Sequence, residues 1–169
     1  MGAAHKRRLK AQAGRGAAFE ARGFEMKRRE PGTPLAKSSK QLVDEASASV
    51  TTIPVGQAVE LLTDPTVLFV DIRDPRELER DGQIPGAFRA PRGMLEFWID
   101  PDSPYYKSGL DDGRQLVLYC GSAWRSALAA ATLREMGRDD VAHVEGGFAA
   151  WRAAGHPVES VEPRQARPA

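Results

Sequence analysis

Three short apolar runs constrain this chain most: "TVLFVDI" (66–72), "QLVLYC" (115–120) and "VAHVE" (141–145). None alternates polar with apolar residues along its length. Each therefore reads as a strand covered on both faces, which is the habit of parallel sheets. Helical stretches separate them. In "DPRELERDG", Asp74 is placed to cap a helix and Pro75 to occupy its first position. "SALAAATLREMG" reads as a helix from Ser126 stopped by Gly137, and "FAAWRAAG" as one stopped by Gly155. Strands joined through helices imply an α/β fold with a mostly parallel sheet and helices on both faces.

Weaker signals fill the gaps. "VTTI" is a short strand, and "PVGQAVELLTDP" a helix with Val55, Val59 and Leu62 on one face. "IPGAFRA" is a strand after a turn, "GMLEFWID" is helical, and "PDSPYYKSGLDDGR" is a long loop. A short helix is expected from Lys40 to Ala46, with the first strand near Val50. Residues 1–40 read as a disordered basic head, 41–160 as one folded domain and 161–169 as a disordered tail. The first 30 residues hold nine Lys and Arg against three Glu, a net of +6. The rest of the chain carries −5, for a total of +1. The head suits a disordered arm, with a transit peptide or an early translation start as alternatives. Only Phe19 and Phe24 could stack on bases there, so nucleic acid is not an expected partner.

The single cysteine, Cys120, closes the second apolar run. A lone cysteine at a strand end is ordinarily buried and inert. The residues after it change that reading. Gly121, Ser122 and Ala123 are small enough for the backbone to curl tightly before the next helix. A curled loop aims successive N–H groups inward and forms an anion nest, and the helix behind it adds its positive end. Arg125 supplies a cation. Ligands of open α/β sheets bind beyond the carboxyl ends of the strands, where Cys120 stands. The arrangement favours negative charge on the sulfur and a thiolate nucleophile.

Three patches in order resemble the rhodanese-like family. They are "FVDIRDPRELERDGQIPGA" (69–87), the loop "CGSAWRS" (120–126) and "EGGFAAWRAAG" (145–155), and the likeness spans roughly Val50 to Val158. The resemblance implies a rhodanese-like three-layer sandwich, with about five strands in the sheet. It implies Cys120 as the catalytic residue and Gly121, Ser122, Ala123, Trp124, Arg125 and Ser126 as the loop that holds substrate and persulfide. Sulfane sulfur would move from a small donor such as thiosulfate to a thiophilic acceptor such as cyanide, a thiol or an acceptor protein. The alternative is a regulatory module that binds a protein partner. A third reading, a phosphatase on the same fold, is opposed by loop length: related cell-cycle phosphatases use Cys-x5-Arg, and this chain has Cys-x4-Arg. Family members that use thiosulfate often carry two cationic loop residues, whereas Gly121 and Trp124 stand here.

Asp71 and Arg73 fall at a neighbouring strand end and read as supporting residues, with Arg73 pairing a carboxylate such as Glu77. Trp124 either walls the mouth of the site or caps the core. Phe97, Trp98, Tyr105 and Tyr106 are candidates for an acceptor surface, and Arg89 and Arg92 for added positive potential. Three scattered histidines and one cysteine form no metal-ligand pattern, so neither metal nor other cofactor is expected. No window approaches the ~18 apolar residues of a membrane helix. One free thiol suits a reducing compartment, and a cytoplasmic location is expected.

Overall fold

The computed structural model describes residues 27–163; the expected head before residue 27 and tail after residue 163 lie outside the described residues. Residues 27–36 form a short leading segment in which the Thr33 N–H and hydroxyl both donate to the Glu30 carbonyl, at 3.3 and 2.9 Å. The folded unit runs from Lys37. Its first helix, α1 (Ser39–Ser49), is longer than the Lys40–Ala46 expected. Its start is fixed by a reciprocal cap: the Gln41 N–H donates to Ser38 Oγ, and the Ser38 N–H to Gln41 Oε1. Val161, assigned by sequence to the tail, is buried.

β1 (Thr51–Ile53) leads into α2 (Val55–Ala58), which tightens into a 3-10 turn over Val59–Thr63. β2 (Val67–Asp71), α3 (Pro75–Asp81), β3 (Phe88–Arg89) and α4 (Leu95–Ile99) come next. β4 (Gln115–Tyr119), α5 (Trp124–Glu135), β5 (Val141–Val144) and α6 (Gly147–Ala153) complete the order. The five strands form one sheet in the order β1-β5-β4-β2-β3, and every pair in it is parallel. Every residue of β2 is buried, as the unbroken apolar run requires.

Strand parity divides the core into two layers. Leu68, Val70, Ile72, Leu116 and Leu118 face Leu95, Ile99, Ala129, Ala130 and Leu133 from α4 and α5. Val67, Phe69, Val117, Tyr119 and Val144 face Ala58, Phe148 and Trp151 from α2 and α6. This is the three-layer α/β sandwich expected from the sequence. Cys120 continues the parity of Leu116 and Leu118, so its side chain enters the α5 layer. The thiol lies one residue beyond β4, rather than as its last residue.

Candidate active site

The loop after β4 is tighter than the sequence suggests. α5 begins at Trp124, two residues before Ser126, so only Cys120–Ala123 make the turn. The turn closes because Ala123 adopts the left-handed conformation, φ 72°, the one non-glycine residue with positive φ among those described. That conformation costs an alanine about 1–2 kcal/mol. Backbone strain of this kind is held by surrounding contacts and concentrates at sites of function. One such contact is local: the Ser126 hydroxyl donates to the Ala123 carbonyl at 3.1 Å. Ser126 Oγ also lies 3.4 Å from Nδ1 of buried His143, whose Nε2 meets Thr52 Oγ1 at 2.9 Å. Burial holds the His143 imidazole below its ordinary pKa.

The closing "EGG" patch explains which way the loop faces. The amides of Phe148 and Ala149, at the start of α6, donate to the carbonyls of Cys120 (2.7 Å) and Gly121 (3.0 Å). With these carbonyls turned toward α6, the amides of 121–123 find no acceptor among the described residues. A tight loop with successive unpaired amides is the form an anion nest takes. Gly147 permits the close approach. A Cβ there would lie 2.5 Å from the Cys120 carbonyl oxygen and 2.9 Å from the Ala123 nitrogen, and its φ is 61°. Cys120 itself is 1% exposed, so its sulfur is recessed beneath the loop.

Arg125 has the partner that the sequence reading assigned to Arg73. Its guanidinium donates two bonds to Glu77, Nη1 to Oε2 at 2.8 Å and Nη2 to Oε1 at 2.9 Å. That pairing raises the arginine's pKa, and Cys120 adds electrostatic stabilisation. The same hydrogen bonds hold the Glu77 carboxyl below the usual range. Glu77 is fixed from the other side as well, because its Oε2 accepts the Asp74 N–H at 3.1 Å in the cap of α3. The pair lies over the loop: a Cβ on Gly121 would sit 3.3 Å from Arg125 Nη2 and 3.7 Å from Glu77 Oε1. Gly121 thus gives the guanidinium its seat.

Arg73 pairs instead with Asp71, Nη2 to Oδ2 at 2.6 Å and Nε to Oδ1 at 3.0 Å, and donates to the Gly82 carbonyl at 2.7 Å. Its guanidinium rests 3.9 Å from the Phe148 ring centroid. Both side chains are sealed from solvent, so the pair ties β2 to the end of α3 and to α6. Trp124 is half exposed and does not cap the core. Phe97 and Tyr105 are also exposed and meet edge to face at 6.5 Å, whereas Trp98 is partly buried with Lys107 Nζ 4.2 Å from its ring centroid. Tyr106 donates to Asp111, Arg89 to Gln83, and Arg92 pairs with Glu96. A cavity of about 250 Å³ opens between Pro75, Leu78, Arg89, Pro91 and Trp98; Cys120 does not line it. Sequence reasoning missed Glu77 and Gly147 as site residues. The capping-box spacing Asp74–Glu77 and the paired glycines 146–147 were the signals available.

No described helix is long and apolar enough to cross a membrane. The Rhodanese-like domain matches residues 55–154. A sulfurtransferase of Allochromatium vinosum is 35% identical over 96 residues, 57% of this chain and 81% of that protein. The thiosulfate sulfurtransferase GlpE of Shewanella oneidensis is 35% identical over 102 residues, 60% of this chain and 92% of that protein. Among solved structures, a Rhodopseudomonas palustris protein of unknown function, described as a possible tyrosine phosphatase, is 50% identical with a TM-score of 0.72. That match covers 75% of this chain and 98% of the other. The polysulfide-sulfur transferase homodimer of Wolinella succinogenes is 30% identical with a TM-score of 0.55, covering 75% and 90%. The family match runs from α2 to α6 and includes the Cys120 loop and the paired glycines beneath it, and the chain belongs to the rhodanese-like family.

Proposed function

We propose that the protein is a sulfurtransferase that carries sulfane sulfur on Cys120. One observation carries the reading: the only thiol of the chain opens a tight loop whose carbonyls are tied to α6 and whose amides have no acceptor among the described residues. In the first half-reaction the thiolate attacks the terminal sulfur of a donor. An S–S bond forms to Sγ, the donor's own bond to that sulfur breaks, and the leaving group departs with the electron pair. With thiosulfate the products are the Cys120 persulfide anion and sulfite. In the second half-reaction cyanide or a thiolate takes the outer sulfur and the Cys120 thiolate returns. The loop amides receive the outer sulfur's charge while it waits. A recessed sulfur selects slender donors whose terminal sulfur projects ahead of the rest.

Intact mass tests this directly. Incubation with a sulfane donor should add one sulfur, about 32 Da, which cyanide removes. Cys120→Ser should show no gain and no turnover, because a hydroxyl is a far poorer nucleophile at neutral pH. Sulfur transfer surviving in that variant ends the proposal.

The phosphatase reading draws support from the description of the R. palustris structure. Against it, Arg125 comes after Cys120 with four residues between them and is committed to Glu77. Hydrolysis of p-nitrophenyl phosphate that Cys120→Ser abolishes would favour that reading. A folded protein with neither activity would favour a partner-binding module.

A further inference from the structure

The loop 121–126 carries one formal charge, on Arg125, and that charge is already matched. Glu77 cannot follow the guanidinium if it swings toward a donor, because its carboxylate is anchored in the α3 cap by the Asp74 N–H. The second arginine at this end of the sheet, Arg73, is sealed against Asp71. With each pair summing to zero, Cys120 reacting as a thiolate brings these five groups to −1. A dianionic donor meets repulsion here that a cation free on the loop would remove.

We propose that Glu77 determines the charge of the sulfur donor: by neutralising Arg125 over the loop, it turns the site toward donors bearing at most one negative charge and away from dianions such as thiosulfate. The inference rests on the persulfide reading and adds a residue and a donor class to it. Organic persulfides and thiosulfonates are donors of the favoured class. With methanethiosulfonate, the Cys120 thiolate bonds to the terminal sulfur, the S–S bond of the donor breaks, and methanesulfinate leaves with the electron pair. Two negative charges enter and two leave, on the persulfide and on the sulfinate.

Thiosulfate and methanethiosulfonate form a matched pair, since a methyl group in one replaces a charged oxygen in the other. The quantity to measure is the ratio of their kcat/KM values with cyanide as common acceptor. A ratio cancels differences in the fraction of active protein. Glu77→Gln keeps an oxygen for the α3 cap and removes the charge. It frees Arg125 for the donor, and a charge-assisted contact is worth roughly tenfold or more. The ratio should therefore shift toward thiosulfate by about tenfold. Arg125→Gln, which leaves Glu77 unmatched, should shift it about tenfold the other way. The double variant should fall back to near the wild-type ratio. An unchanged ratio in the single variants, with both donors still loading Cys120, overturns the role of Glu77 and leaves the persulfide reading standing. Failure of both donors to load the wild-type protein overturns the reading itself. Should Glu77→Gln not fold, Arg125→Gln decides alone: no shift away from thiosulfate overturns the inference.

Discussion

Two arginine–carboxylate pairs stand at the same end of the sheet and do opposite things. Asp71–Arg73 is sealed, with side-chain exposures of 0% and 1%. Glu77–Arg125 is open, at 25% and 42%. The sealed arginine spends its donors on Asp71 and Gly82 and lays its flat face on Phe148, so each polar atom it buries is answered. The open one lies over the loop that follows Cys120, where solvent reaches it. A pair of the same kind serves as scaffold where water is excluded and, on the reading proposed above, as an electrostatic control where it is not.

Substitution should separate the two most sharply at Arg73. Arg73→Met strands the Asp71 carboxylate in the core and should cost about 3–5 kcal/mol of stability, read from the denaturant midpoint. Gly147→Ala comes next. Its methyl group meets the Cys120 carbonyl at 2.5 Å, and the clash plus the left-handed backbone should cost about 1–3 kcal/mol. The same variant should slow persulfide loading, because the loop must move off α6. Ala123→Gly goes the other way: relief of the strained turn should raise stability by up to about 1 kcal/mol, with no gain in sulfur transfer. Smallest in stability is Arg125→Gln, within about 1 kcal/mol of wild type. Equal destabilisation by Arg73→Met and Arg125→Gln would erase the distinction between the pairs.

The layers, the parallel sheet and the position of Cys120 were legible because they depend on local pattern. Unbroken apolar runs give buried strands, and stop residues such as Gly137 and Gly155 mark helix ends. The wiring between elements was not. Arg73 and Glu77 stand four apart in sequence, a natural helical pairing distance, but Arg73 precedes α3 and points into the core. Glu77 instead meets Arg125 across 48 residues, a contact no local spacing encodes. The start of α5 was misplaced for a related reason. An alanine in the left-handed region carries no sequence signal, since that conformation is ordinarily the mark of glycine. Gly121 reads as the absence of a second loop cation, and it also makes room for the one that is there, Arg125.

The recessed position of the sole cysteine also bears on oxidation. With no second thiol in the chain, a sulfenic acid formed at Cys120 has no internal partner to resolve it. Exclusion takes the place of repair. At 1% exposure, Cys120 is screened from bulky disulfides, which would otherwise trap it as a mixed disulfide. If Cys120 carries sulfur as proposed, the burial that restricts its donors is also the shield for a thiol with no second cysteine beside it.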